Sequence, residues 1–264
     1  VDRSRGLGDV YKRQVLAVRD RNDGIEVFMV VRHHQIDFAS GALVFPGGKV
    51  DKNDLNSKIR DHIISDQNLS HEELSYRIAA IRECYEEANV LFACDENNSE
   101  ILSDVKLAKL TTWREKFNNR QGSMYEFAVH EKLKFTVDNL IPFAHWITPK
   151  MMPKRFDTYF YIAEAPHDHL GEHDGKESID SIWINPKQAI EECESGRRTI
   201  IFPTKMNLEK LSRFNNVKDA IETTSKENVI TVEPKVEKTE KGSFLTIPEE
   251  AGYGLIREPL ENLR

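Results

Sequence analysis

Arg82-Glu83-Cys84-Tyr85-Glu86-Glu87-Ala88-Asn89-Val90 sets an arginine and three glutamates within six positions. At roughly 100° per residue on a helix, Glu83 at zero puts Glu87 near +40° and Glu86 near −60°. Three carboxylates then share one face. Leu74, Ile78, Ile81, Tyr85 and Ala88 fall together on the opposite face with 4-3-4-3 spacing, which predicts a buried stripe. Ser70 and Glu73 fit a capping box that starts this helix, each side chain satisfying an orphan backbone donor. Asn89 stands where a left-handed C-terminal cap is expected, the usual substitute for Gly. Clustered carboxylates repel one another, so the face is either a solvated acidic surface or a ligand set for a hard divalent cation with oxygen donors. Cys84 lies inside the motif with no base placed for it and is read as a packing residue.

Upstream, Phe45-Pro46-Gly47-Gly48 follows a short apolar run. Two glycines after a strand permit a tight turn and close approach of backbone to a ligand or metal. Val15 to Val18 and Glu26 to Arg32 read as a hairpin across Asp20, Asn22, Asp23 and Gly24. Ala42 to Phe45 reads as a third strand, Asp54 to Ile64 as a short helix, and Val90 to Ala93 as a buried strand. Residues 100 to 133 are helix-rich, with Val105, Leu107, Leu110 and Trp113 as an apolar stripe. Phe143 to Thr148, Thr158 to Ala163 and Ser181 to Ile184 read as strands. Pro186 to Glu194, Asn207 to Phe214 and Val217 to Thr223 read as helices, and Lys226 to Lys241 as an exposed strand or tail. Strands mixed with helices without a regular βαβ cadence predict an α/β sandwich built on a mixed sheet.

The 264 residues and net charge of −7 disfavour a nucleic-acid binder that works by bulk charge. No apolar run approaches the ~20 residues that span a bilayer. Cys84, Cys94 and Cys193 are scattered, with neither zinc-site nor disulfide spacing. Within Val1 to Gln14, the string GLGDVYKRQ resembles a translated sequencing-adapter scar. Residues 1–14 are set aside as a non-native or disordered leader, and 15–260 are taken as one domain. His167-Asp168-His169 with Glu172, His173 and Asp174 could suit a transition metal. The flanking Pro166, Gly171 and Gly175 favour a polar loop.

Gly48 followed by Arg82-Glu83-x-x-Glu86-Glu87 resembles the Nudix box, G-x5-E-x7-R-E-U-x-E-E-x-G-U, where U is a bulky apolar residue. Here 34 positions separate Gly48 from Arg82, against 14 in the standard box, an insertion of about 20. The first box Glu falls at Asp54 counted from Gly48, or at Leu74, beside Glu73, counted back from Arg82. Arg32 and the run Gly41 to Asp51 resemble the coenzyme A diphosphatase branch with a long insertion inside the box. Lys154-Arg155-Phe156-Asp157-Thr158, Glu177 to Pro186 and Ile247 to Tyr253 resemble the same branch.

The resemblance implies a Nudix fold, a mixed sheet sandwiched between helices, with helical insertions at about 52–69 and 100–133. It implies Mg²⁺ or Mn²⁺ held by Glu83, Glu86, Glu87 and the carbonyl of Gly48, with Arg82 orienting a box carboxylate and Glu177 as the later-loop base. Arg32 and Arg155 are expected phosphate partners, with surface ion pairs as the alternative. Phe45, Gly47 and Gly48 are expected against the substrate. The substrate would be a small-molecule nucleoside diphosphate derivative. The NADH type's four-Cys site, the ADP-ribose type's Pro about 15 residues past the box and the short chain of the 8-oxo-dGTP type are all missing. Elimination favours coenzyme A or acyl-CoA, giving 3′,5′-ADP and 4′-phosphopantetheine species. ADP-ribose or nucleotide-sugar hydrolysis and a non-catalytic nucleotide-binding module are the alternatives. No nucleic-acid or membrane partner is expected, a homodimer is allowed, and Asn262-Leu263-Arg264 is unlike a peroxisomal tripeptide, which favours a cytoplasmic location.

Overall fold

A computed structural model describes residues 9–33, 41–65, 67–97, 101–152, 154–166, 171, 173, 175, 178–240, 242–254 and 257–260. The centre is β1 (Asp9–Arg21), antiparallel to β2 (Gly24–Arg32) through the expected turn. Beyond β2 lies β3 (Leu43–Val44), and β4 (Gly47–Lys49) pairs with the start of β1. α1 (His71–Ala88) carries the motif and is followed by the short hairpin of β5 (Ala93–Asp95) and β6 (Leu133–Phe135). Between β5 and β6 stand α2 (Asp104–Ala108), α3 (Thr111–Asn118) and α4 (Met124–Glu131). β7 (Ile141–Ile147) and β8 (Arg155–Glu164) extend the main sheet, β8 running parallel to β1 over ten positions. β9 (Ser178–Ile184) pairs with β2, followed by α5 (Pro186–Glu194), α6 (Phe202–Leu211) and α7 (Val217–Thr224). β10 (Thr231–Val232) closes the sheet beside β7, and β11 (Lys235–Thr239), β12 (Gly242–Thr246) and β13 (Arg257–Pro259) form a separate meander. The result is an eight-stranded mixed sheet covered on both faces, an α/β architecture.

Period-2 alternation sorts the side chains of β1 and β2 into two cores. Val15, Ala17, Phe28 and Val30 face α1 to α4, whereas Leu16, Val18, Val27 and Met29 face α5 to α7. Burial on both faces explains why these strands read as continuous apolar runs. α1 obeys its predicted wheel, with Leu74, Ile78, Ile81, Tyr85 and Ala88 all buried. Its capping box is formed in both directions, and Asn89 caps the C-terminus at φ 54°.

Several expectations are corrected. Residues 9–14 belong to β1, because β8 and β4 both offer backbone partners there, and Arg13 is fully buried with its guanidinium 3.5 Å from the centre of the Tyr76 ring. The helix expected over Asp54 to Ile64 is two 3-10 turns, Lys52–Leu55 and Ser57–His62, because the Asp51 and Asn56 side chains each cap a new turn. Val90 to Phe92 is buried but precedes the strand, which begins at Ala93; the Phe92 carbonyl already accepts the Thr136 N–H at 3.1 Å. Val105 leaves its stripe and is 71% exposed, while Leu107, Leu110 and Trp113 are buried. Lys226 to Lys241 does hold an exposed strand, Lys235–Thr239, but Thr231–Val232 before it joins the main sheet. Among the described residues no helix is long and apolar enough to cross a membrane.

Candidate active site

The motif face of α1, the β4 turn and the α3–α4 turn enclose a cleft of about 570 Å³. Gly47, Gly48, Arg82, Glu83, Glu86 and Glu87 all line it. The β4 turn is packed tightly between β1 and α1. A Cβ on Gly48 would stand 2.2 Å from Oε2 of Glu83, and one on Gly47, whose φ is +145°, would stand 2.0 Å from the carbonyl oxygen of Arg13. The Gly47 N–H donates to Oε2 of Glu87 at 2.8 Å.

Arg82 organises the remaining carboxylates. Its Nε and Nη2 fork onto Asp54 at 2.9 and 3.0 Å, and Nη2 reaches the Lys49 carbonyl at 2.8 Å. Ion pairs join it to Glu83 at 2.9 Å and Glu86 at 3.1 Å. Burial works against its charge, but Glu83, Asp54 and Glu86 outweigh it and hold Arg82 well above its ordinary pKa. Asp54 has a side chain with no solvent exposure, and it also accepts the Asp51 N–H at 2.7 Å within a capping box. Of the two candidate positions for the first box carboxylate, Asp54 contacts Arg82, whereas Glu73 caps the far end of α1 and is exposed.

Burial pushes Glu83 up to about 7, with Glu86 and Asp54 adding to the rise and Arg82 opposing it. Burial also lowers Lys12, in the same cleft, to about 8, helped by Arg32. The Cys84 thiol is raised by its full burial, consistent with packing rather than nucleophilic chemistry.

Among the described residues, no group of three His, Cys, Asp or Glu side chains is arranged to hold a metal ion, because Arg82 takes up Glu83 and Glu86. The donor chemistry nonetheless fits a hard cation. Three carboxylates of one helix face share a partly dry cleft, and one of them is forced toward its protonated form. Gly47 and Gly48 put no side chain between their backbone and these carboxylates, and carbonyl oxygen is a donor such a cation accepts.

Arg32 lines the cleft, and its buried Nε has no hydrogen-bond partner among the described residues. Phe45 is fully buried against Phe160 and contributes packing instead of cleft wall. Arg155 is not in the lining; it bonds the Thr148 carbonyl at 3.1 Å and approaches Glu233 at 3.4 Å, while its neighbours Lys154 and Phe156 line the cleft. Glu177 lies outside the described residues, as do His167, Asp168, His169, Glu172 and Asp174. Two contributions escaped the sequence. Arg114 of α3 donates to the carbonyls of Glu86 at 3.0 Å and Glu87 at 3.5 Å, satisfying orphan acceptors at the end of α1. The α3–α4 turn supplies Arg120, Gln121, Gly122 and Ser123 to the cleft. No periodicity marks either contribution.

Comparison with known proteins identifies the family. The family model described as the NUDT19 Nudix domain matches residues 59–211, more than half of the chain. "Putative nudix hydrolase 7" of Caenorhabditis elegans is 29% identical over 198 residues, covering 73% of this chain. The chain spans 57% of that relative's length. "Acyl-coenzyme A diphosphatase NUDT19" of Xenopus laevis is 26% identical over 265 residues, covering 84% of this chain and 70% of its own. The crystal structure of a Nudix hydrolase from Alicyclobacillus acidocaldarius superimposes with a TM-score of 0.66 at 24% identity, covering 83% of this chain and 98% of that one, a likeness of fold. With the box carboxylates, their arginine and the glycine turn assembled on that fold, the chain belongs to the Nudix family, within the group described by the NUDT19 Nudix domain.

Proposed function

We propose that the protein is a divalent-metal-dependent hydrolase that cleaves the diphosphate of coenzyme A or an acyl-CoA to 3′,5′-ADP and a 4′-phosphopantetheine species. The observation that carries the reading is the Arg82 network, in which the buried Asp54 holds Arg82 from behind and Arg82 gathers Glu83 and Glu86 beside Glu87 and the Gly47-Gly48 turn in one cleft. The Xenopus relative's name supports the substrate class.

Glu83, Glu86, Glu87 and the Gly48 carbonyl would hold Mg²⁺ or Mn²⁺. When bound, such a cation supplies Lewis-acid charge to the diphosphate oxygens and to the attacking water. Asp54 holds Arg82 by a two-point fork, so the guanidinium is positioned whether or not Glu83 and Glu86 turn toward a ligand. The Gly47 N–H fixes Glu87. Arg114 tethers the last turn of α1 and so the spacing of Glu86 and Glu87. Arg32 brings an unsatisfied Nε–H to the cleft, where a phosphate oxygen would accept it. Phe117 and Phe156 add apolar lining beside the charges.

The test is incubation with Mg²⁺ or Mn²⁺ and coenzyme A, an acyl-CoA, ADP-ribose, NADH or a nucleotide sugar in ¹⁸O-water, with products read by mass spectrometry. The expected products are 3′,5′-ADP and 4′-phosphopantetheine. Turnover of ADP-ribose or a nucleotide sugar in preference to both CoA compounds overturns the substrate assignment. Calorimetric binding without product identifies a nucleotide-binding module instead.

A further inference from the structure

The end of α3 carries an arginine where the backbone calls for glycine. Asn119 closes the helix; the Arg120 N–H bonds the Phe117 carbonyl at 2.7 Å and the Gln121 N–H bonds the Lys116 carbonyl at 2.8 Å. These are the two bonds of a Schellman motif, which puts Arg120 at its left-handed position with φ 55°. Only glycine adopts that conformation without a steric cost. Of the non-glycine residues with positive φ among the described residues, Asn89, Arg120 and Lys132, only Arg120 lines the cleft. Its guanidinium has no ion-pair partner among the described residues, and neither does Lys154 across the lining. The turn is seated firmly, since a Cβ on Gly122 would stand 3.2 Å from the Trp113 ring. A strained backbone that aims an unpaired cation into a cleft is a recurrent mark of ligand binding.

We propose that Arg120 is a specificity-determining residue that receives a phosphomonoester carried by the substrate apart from the diphosphate being cleaved. In the coenzyme A reading, on which this assignment rests, that group is the 3′-phosphate of the nucleotide. The phosphate oxygens accept the paired N–H donors of the guanidinium, a geometry that lysine reproduces only as a point charge.

The experiment compares kcat/KM for coenzyme A and for dephospho-coenzyme A in the wild type, Arg120→Gly, Arg120→Ala and Arg120→Lys, with Tm measured for each. Arg120→Gly relieves the backbone, so its Tm should rise by roughly 2–4 °C. Its preference for the phosphorylated substrate should fall roughly tenfold or more, the size expected for one charge-assisted contact. Arg120→Ala should lose the same preference with no rise in Tm, and Arg120→Lys should retain part of it. An unchanged preference in Arg120→Gly overturns the proposal, as does a fall in its Tm. If the wild type cleaves neither compound, the coenzyme A reading fails. Calorimetry with 3′,5′-ADP and 5′-AMP then decides on Arg120: selective loss of 3′,5′-ADP binding in Arg120→Gly supports the assignment, and equal loss or no loss refutes it.

Discussion

Replacing Asp54 by Asn leaves shape almost unchanged and removes one buried charge. Asp54 accepts three hydrogen bonds, two from Arg82 at 2.9 and 3.0 Å and one from the Asp51 N–H at 2.7 Å. Its side chain is fully buried, and that of Arg82 is 11% exposed, so solvent screening offsets little. Removing one partner of such a pair costs about 3–5 kcal/mol when the other charge is left stranded. Arg82 is not stranded, because Glu83, Glu86 and the Lys49 carbonyl remain. The expected loss therefore falls at or below the bottom of that range, about 2–3 kcal/mol. For a chain of this size that corresponds to a fall in Tm of roughly 5–10 °C. The released guanidinium should also settle more firmly on Glu83 and Glu86, so hydrolysis should need more Mg²⁺ for half-maximal rate. Denaturant unfolding and a Mg²⁺ titration of turnover measure the two effects. Glu73→Gln is the control: it loses only half of an exposed capping box, about 0.5–1 kcal/mol, and should leave the Mg²⁺ requirement alone. Equal midpoints for wild type and Asp54→Asn, or a larger loss in Glu73→Gln, would refute the assignment of Asp54 as the box carboxylate.

Glu86→Gln and Glu87→Gln should each abolish turnover while circular dichroism stays that of the wild type; near-wild-type rates in both place the metal elsewhere. Gly48→Ala has no room beside Glu83 and should cut kcat/KM for every substrate, whereas Gly252→Ala, with open space around it, should cost stability through its positive φ without a change in kcat. Because burial raises Glu83 above its ordinary value to about 7, the folded ion-free protein binds that proton more tightly than the unfolded chain does. This contribution to stability is full below about pH 4.5 and is lost as pH rises through about 7. The Tm of EDTA-treated protein should fall across that window, and a Glu83→Gln variant that declines equally would contradict the burial argument. Arg114→Ala should cost about 1 kcal/mol in urea unfolding by releasing the carbonyls at the end of α1. A loss confined to stability, with an unaltered Mg²⁺ requirement, would mean that Arg114 does not position Glu86 and Glu87.

Local rules made α1 legible before any coordinate. Its periodicity, its Ser70–Glu73 cap and its Asn89 terminus are properties of adjacent residues, and all three appear in the fold. What remained hidden depends on distant partners. Residues 9–14 look unpatterned alone, yet β8 pairs with all six of them, Asp9 to Gln14, and draws them into the sheet. Asp54 lies 28 positions from Arg82, and only the Asp51–Asp54 capping box hints that the turn after Gly48 is complete. Arg155 and Phe156 are neighbours in sequence, but strand alternation gives Phe156 to the cleft and Arg155 to Thr148 and Glu233. The chemistry of the cleft was readable where it sits on one helix and unreadable where an insertion folds back over it.

That insertion has a consequence for how ligands are admitted. The Tyr85 ring of α1 stacks on Phe127 of α4 at 5.6 Å and meets Phe117 of α3, while its hydroxyl bonds the Leu110 carbonyl. The wall that bears Arg120 and the helix that bears the carboxylates therefore share one aromatic keel. Any change in the span between the two walls would have to break these ring contacts, and a ligand that bridges walls already held in place costs less ordering entropy than one that must assemble them.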